Sequence, residues 1–387
     1  MGTTPPFTAE RLINLRRVSA VVPSPDESWL AVAAARHDPE RAKYVSELWR
    51  VSLDGSPPIR LTRGASNDRA PRFRRDGALG FLSDRPSGES KAEDDARAQV
   101  WVFPPGGGEP VPLTDEPLGV NEFAFAHAGD RLVVLADVLP GVAHEQQRER
   151  ERERAKKGPS VLRYAAMPAR YWDHWRSPAA PHVIAYDAEG NGRRDLTPEA
   201  DMDFREECEW SLAPDGSTLA ITSIRWATDR IEDVSLVLLD TRTGERRALV
   251  TADRESATKP VFSRDGRRLA CVRHGREKGR HGKPTLWCFD LATGHGRALG
   301  AAWDRWPSPV DFTRDGRVVV TVEDRGLVPV FTIDPTDDTV TRITRVEDGG
   351  SHERVTLLAS DEIIGLRHRA THPPEVFHVA LKPDASP

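Results

Sequence analysis

The chain has 387 residues, of which 38% are hydrophobic and 30% charged, with a formal net charge of −5. That length supports a substantial core, and the interspersed signs leave no basic field for nucleic acid. No run is apolar enough to span a membrane, and Met1-Gly-Thr-Thr-Pro-Pro-Phe7 lacks the charged start and apolar stretch of a signal peptide; a cytoplasmic protein without membrane contact is expected.

In chain order, residues 1–18 read as a lead-in containing a short helix, and residues 19–387 as one repeating body. The repeat is marked by a turn of the form x-Asp-Gly: Asp76-Gly77, Asp215-Gly216, Asp265-Gly266 and Asp315-Gly316, the last three at intervals of 50 residues. Pro25-Asp26-Glu27 is a variant of it, and His127-Ala-Gly-Asp130 occupies the same place in the third unit. Asp satisfies local backbone donors in such a turn and Gly accepts its positive φ. The unit from Pro260 to Leu299 shows the rest of the grammar. Pro-Val-Phe-Ser is a short strand, Arg268–Arg273 a second, Thr285–Asp290 a third, and Gly296–Leu299 a fourth after the Ala-Thr-Gly294 turn. Four short strands per unit with frequent turns is the pattern of a β-propeller blade, and a fixed period in this range means a repeat architecture.

Units close on an apolar residue followed by Thr: Leu61-Thr62, Leu113-Thr114, Leu196-Thr197, Val250-Thr251 and Ile343-Thr344, with Leu299 in the fifth place. The predicted fold is therefore an all-β, seven-bladed propeller with a short N-terminal helix and a helical insertion in blade three. The last blade reads as incomplete: three strands within Arg354–Leu381 and no fourth.

Two stretches depart from the repeat. The insertion, at about 140–180, begins with Glu145–Lys157, a charge-alternating helix with Glu149–Arg152 and Glu151–Arg154 as i,i+3 neighbours. It continues into Arg170-Tyr-Trp172-Asp173-His174-Trp175, an aromatic cluster read as a packing or inter-domain contact. The second stretch is Asp201–Glu209, which leads into the first strand of blade four and so stands at a channel mouth. Glu206 and Glu207 could hold an ammonium group there, or simply be solvated loop acids. An EF-hand is excluded because the sixth position is not glycine, and no zinc-protease His-Glu-x-x-His occurs. Cys208, Cys271 and Cys288 have no metal-ligand spacing. Cys271 and Cys288 fall on neighbouring strands, where a bridge is possible, but reduced buried thiols are favoured. No metal or cofactor is expected.

These features together resemble the N-terminal propeller of prolyl oligopeptidase-family serine peptidases, in the acylaminoacyl- and dipeptidyl-peptidase branch. The resemblance rests on Phe7–Ser19 as the opening helix and lead-in, and on Ser24-Pro-Asp-Glu-Ser-Trp-Leu-Ala-Val32 as the first turn. It rests also on the x-Leu-Thr endings and on Arg170-x-Trp172-Asp173-x-Trp175 followed by His182. It implies a propeller that gates short peptides toward an α/β-hydrolase domain, supplied in cis or in trans. The Glu206-Glu207 pair resembles the dipeptidyl-peptidase device for holding a free amino terminus. The nucleophile elbow G-x-S-x-G is absent: Gly64-Ala-Ser66-Asn-Asp68 and Gly158-Pro-Ser160-Val-Leu162 both fail at the final glycine. No catalytic residue is expected in this sequence. The alternative is a free-standing cytosolic propeller, similar to the Tol-system module, that binds proteins.

Overall fold

The computed structural model describes residues 8–40, 42–86, 97–158, 161, 163–164, 169–170, 172–199, 202–204, 208–226, 232–251, 254–277, 280–345 and 349–381. After helix α1 (Ala9–Asn14), sheet one comprises β1 (Arg17–Pro23), β2 (Trp29–Asp38), β3 (Lys43–Ser52) and β4 (Ile59–Arg60). Sheet two comprises β5 (Arg69–Phe73), β6 (Leu79–Ser83), β7 (Gln99–Phe103) and β8 (Val111–Pro112). Sheet three comprises β9 (Val120–Phe125), β10 (Leu132–Val138), β11 (Ala180–Tyr186) and β12 (Arg194–Asp195), with helix α2 (Gln147–Lys157) in the β10–β11 connection.

Sheet four runs through β13 (Trp210–Leu212), β14 (Thr218–Trp226), β15 (Glu232–Asp240), β16 (Arg246–Val250), β17 (Glu255–Phe262), β18 (Arg268–Glu277), β19 (Arg280–His281), β20 (Thr285–Asp290) and β21 (Gly296–Leu299). Sheet five comprises β22 (Pro307–Phe312), β23 (Val318–Val322), β24 (Val330–Ile333) and β25 (Val340–Arg342). Sheet six comprises β26 (Ser351–Leu357), β27 (Glu362–Arg369) and β28 (His372–Ala380).

The expected seven separate blades are thereby corrected. The described strands form five sheets of four or more strands and one of three. The physical reason for the fusion is a parallel pairing of Val234 with Ser256, which joins β15 to β17 and makes one nine-stranded sheet. The all-β propeller character stands.

Local chemistry builds each unit. At the turns, Gly77, Gly216, Gly266 and Gly316 all adopt positive φ, as the Asp-Gly sequence requires. Glu27 adopts φ 54° in the corresponding place, and its Oε1 accepts the Ala359 N–H at 2.5 Å, tying sheet one to sheet six. Ser24 Oγ donates to Asp26 at 2.5 Å and Ser263 Oγ to Asp265 at 2.6 Å. These bonds, and that of Thr313 to Asp315, hold the three carboxyls below their usual range.

The core lies between neighbouring sheets. Leu82 and Val100 of sheet two pack with Phe123, Phe125 and Leu132 of sheet three. The first and last sheets meet the same way, through Val21, Leu30 and Val32 against Leu358, Ile364 and Leu366. At about 25 cal/mol per Å² of apolar surface removed from water, these inter-sheet layers dominate stability.

Helix α2 is fastened rather than free. The buried Gln147 side chain accepts from Leu139 N at 2.7 Å and donates to the carbonyls of Leu139 and Val142. Glu151, expected to pair with Arg154, instead meets Arg97 of the sheet-two loop at 2.9 Å, and Arg148 meets Asp115 at 3.2 Å. Arg150 and Glu153 form the i,i+3 pair, at 3.1 Å. Cys271 and Cys288 cannot bridge: Cys271 lies opposite Trp287 and Cys288 opposite Ala270, so the two thiols point to opposite faces of their sheet. Among the described residues no helix is long and apolar enough to cross a membrane.

Candidate functional site: the axial channel

The first strand of each unit packs on the first strand of the next. β1 lies against β5, β5 against β9, β13 against β17, β17 against β22, β22 against β26, and β26 returns to β1. Between β9 and β13 the link is polar: the Trp210 indole N–H donates to Glu122 Oε2 at 2.8 Å. The ring is thus closed around an axis that the first strands line.

All of these strands except β13 carry a register shift against their neighbour. It falls between Val18 and Ala20, Arg69 and Arg72, Thr258 and Val261, Pro309 and Asp311, and Glu353 and Thr356. In β9 it lies opposite Leu135 and Ala136. In three of them a residue inside the bulge is left-handed: Ala70 at φ 52°, Lys259 at 54° and Arg354 at 51°. A bulge bends the strand and re-aims its side chains. The repetition of the device puts charged groups on the axis.

At the end nearest the Asp-Gly turns, groups from five sheets converge. Arg264 donates to the Leu357 carbonyl at 2.5 Å and lies 3.5 Å from Asp311, which accepts the Leu357 N–H at 3.0 Å. His127 stands within the field of Asp311, Arg264 and Arg72. Its pKa is lowered, first by desolvation and then by the two arginines, with Asp311 opposing. Arg72 is likewise lowered, by desolvation and then by Arg354 of β26, with Glu122 of β9 opposing. Both side chains are exposed to solvent.

Toward the opposite end, Lys259 N donates to Glu209 Oε2 at 2.5 Å and Lys259 Nζ to Ser308 Oγ at 2.7 Å. Charges of both signs thus lie near one another here: Arg72 near Glu122, Lys259 beside Glu209 and Arg264 beside Asp311. Such a lining offers ionic and hydrogen-bond partners to polar groups.

Only some of the residues singled out from sequence lie among the described ones. Glu206 and Glu207 lie outside the described residues, as does Tyr171. Arg170 and Trp175 pair as a small antiparallel bridge, with the Arg170 guanidinium 5.7 Å from the Trp175 ring centre. Trp175 stacks on Tyr164 at 6.0 Å, and His174 Nδ1 lies 2.8 Å from Asp173. That bond lowers the Asp173 carboxyl. Trp172 projects into solvent at 96% exposure. Next to it, Arg176 pairs with Asp203 at 3.1 Å. Sequence reasoning missed Arg72, His127, Arg264 and Asp311 because their convergence depends on sheets far apart in the chain.

No protein-family model matches the chain. It is 22% identical over 311 residues to dipeptidyl-peptidase 5 of Porphyromonas gingivalis, a match covering 77% of this chain and 43% of that protein. It is 26% identical over 151 residues to the uncharacterized peptidase YuxL of Bacillus subtilis, covering 37% of this chain and 22% of the relative. The chain resembles a peptidase propeller of the prolyl oligopeptidase type.

Solved structures agree on the fold. The β-propeller domain of the Trilobed protease from Pyrococcus furiosus, described as having an open velcro topology, superposes with a TM-score of 0.62 at 13% identity, covering 94% of this chain and 93% of that one. An acylaminoacyl peptidase in complex with Z-Gly-Gly-Phe-chloromethyl ketone gives 0.67 at 15% identity, covering 95% of this chain and 52% of the other. The chain thus spans less than half the length of the curated relatives it matches, and about half of that enzyme.

Proposed function

We propose that this propeller gates substrate entry in a serine peptidase of the prolyl oligopeptidase type, acting on short peptides in the cytoplasm. Catalysis would fall to an α/β-hydrolase domain, in cis or in trans. The described sheets pair antiparallel apart from the Val234–Ser256 bridge, and the sequence holds no G-x-S-x-G. The observation that carries the proposal is the ring of bulged first strands that gathers Arg72, His127, Arg264 and Asp311 on one axis. In this reading, the charged groups at the axis of the ring offer partners to an extended peptide that a folded protein could not reach.

Within that proposal Trp172 is the contact toward another domain, because an indole at 96% exposure is poorly served by water. Glu206 and Glu207 are the proposed holders of a peptide's free ammonium group.

The test begins with the native protein in its own cells. An immunoblot against the propeller gives the mass of the native polypeptide. The enriched protein is then assayed on a ladder of peptides from dipeptides upward and on a folded protein. Cleavage confined to short peptides, with the length limit relaxed by Arg264→Ala, supports gating. Absence of peptidase activity from a 42.9 kDa native species and from every co-purifying partner would sink it and point to a binding scaffold.

A further inference from the structure

The carboxylate of Glu47 stands among three arginines. Arg16 Nη1 lies 3.6 Å from its Oε1, while Arg36 Nε and Arg60 Nη1 lie 3.5 and 3.6 Å from its Oε2. The three come from separate elements: the lead-in before β1, strand β2 and strand β4. Glu47 is 1% exposed, whereas the arginine side chains are 36–57% exposed. Trp49, on the same face of β3, donates its indole N–H to Glu47 Oε1 at 3.1 Å, and the Arg16 guanidinium lies 4.8 Å from the Trp49 ring centre. Trp49 and Val51 in turn pack with Ile364 and Leu366 of sheet six, so the cluster sits beside the contact between the first and last sheets.

This arrangement exceeds what an internal ion pair needs. One carboxylate against three guanidiniums leaves a surplus of two positive charges. Among the described residues none of the three arginines has another acidic partner. The contacts are also longer than good hydrogen bonds. Glu47 Oε2 receives no hydrogen bond, and no guanidinium N–H of the three makes one among the described residues. Arginine does not shed its charge, so the surplus persists at any ordinary pH. Gly64, at φ 71°, borders the group: a Cβ there would stand 3.0 Å from Glu47 Oε2 and 3.3 Å from Arg36 Nη2. Glycine leaves that space open and accepts the positive φ.

We infer that Arg16, Arg36 and Arg60 form a binding site for a small dianionic oxyanion, inorganic phosphate or a phosphate monoester. Guanidinium forks match the acceptors of such an anion, and its two negative charges balance the surplus. Glu47 is a positioning residue that draws the three arginines together and does not touch the anion. Occupancy ties the lead-in to β2 and β4. This is independent of the gating proposal.

The test uses the full chain and inorganic phosphate at pH 8 and fixed ionic strength, read by phosphorus NMR. The phosphate resonance should shift in a saturable manner at millimolar concentration. Arg60→Met should weaken binding about ten-fold or more, the worth of hydrogen bonds between charged groups. Arg75→Met removes the same charge from an exposed arginine elsewhere and should leave binding unchanged. Glu47→Gln keeps an acceptor for Trp49 and removes the competing charge, so the folded variant should bind phosphate more tightly. A merely structural ion cluster would instead lose stability and gain no binding. Should Glu47→Gln fail to fold, the two arginine variants decide alone. No saturable shift, or equal binding by the parent and Arg60→Met, overturns the inference, as do equal losses in Arg60→Met and Arg75→Met. Tighter binding of glycerol phosphate than of the free ion assigns the site to a monoester, and weaker binding assigns it to phosphate itself.

Discussion

The indole of Trp210 donates to the Glu122 carboxylate at 2.8 Å, and this bond joins β9 to β13 where the ring of first strands has its polar seam. Other neighbouring first strands also carry polar links, as Lys259 to Ser308 and Leu357 N to Asp311, but pack more extensively as well. Trp210→Phe keeps the ring and deletes the donor. A double-mutant cycle with Glu122→Gln should give a coupling of about 1 kcal/mol, at the low end for a bond to a charged group because the pair is exposed. Additive effects in urea unfolding would show that the seam is held by something else.

The threonines that close the units act as latches and give a second prediction: Thr62, Thr114, Thr197 and Thr344 each accept a backbone N–H across 14 residues at 3.0 Å. Thr114 Oγ1 accepts from Val100 N and donates to Gln99 Oε1 at 2.8 Å, while Gln99 also bonds both backbone groups of Glu116. Thr114→Val keeps shape, leaves the buried Val100 N–H unmatched and removes one of the two bonds at Gln99 Oε1, costing about 1–3 kcal/mol. Thr251, which ends β16 but is exposed, should tolerate the same change within about 0.5 kcal/mol. Equal losses at both sites would refute the latch.

Much of the propeller was legible because its chemistry is local. Asp-Gly turns and x-Leu-Thr endings name strand boundaries within a few residues, and those residues do cap and latch the sheets. What joins separate units is not local. Nothing in the residues around Val234 or Ser256 announces the bridge that fuses two units, so separate blades were expected and five sheets of four or more strands were found. The axial cluster was hidden for the same reason. His127 was read only as part of a turn; the turn closes through Ala126 N to Arg131 O at 2.8 Å, and Asp311, Arg264 and Arg72 act on the imidazole from other units.

Glu116 is 0% exposed, receives Arg193 through two bonds at 2.8 and 3.0 Å, and accepts from the Tyr186 hydroxyl. Burial, then the Glu116 charge, pushes the Tyr186 phenol far up, so it stays protonated and donating at any ordinary pH. Glu116→Ala strands a half-buried guanidinium and should cost about 3–5 kcal/mol in chemical denaturation. A loss under 1 kcal/mol would mean that water replaces the carboxylate.

All three cysteines should be unreactive in the folded chain. Burial pushes the Cys271 thiol up to about 12, and raises Cys208 and Cys288 as well. A thiol reagent at pH 8 should therefore modify none until denaturant is added, and then all three. Fast modification of one cysteine in the native protein would contradict the buried assignment.

His127 sets the last expectation, on pH. Its unfolded pKa is near 6.5, and the folded value lies lower because desolvation and the Arg264 and Arg72 charges outweigh the attraction of Asp311. The unfolded chain therefore binds the proton more readily than the folded chain. This contribution is neutral above about pH 6.5 and removes stability as pH falls through 6.5 toward the folded pKa. His127→Asn abolishes the titration, so the variant's stability should fall less steeply between pH 6.5 and the folded value than that of the parent. Denaturation midpoints across that interval decide it. Parallel curves would mean that His127 is as free to protonate in the channel as in water.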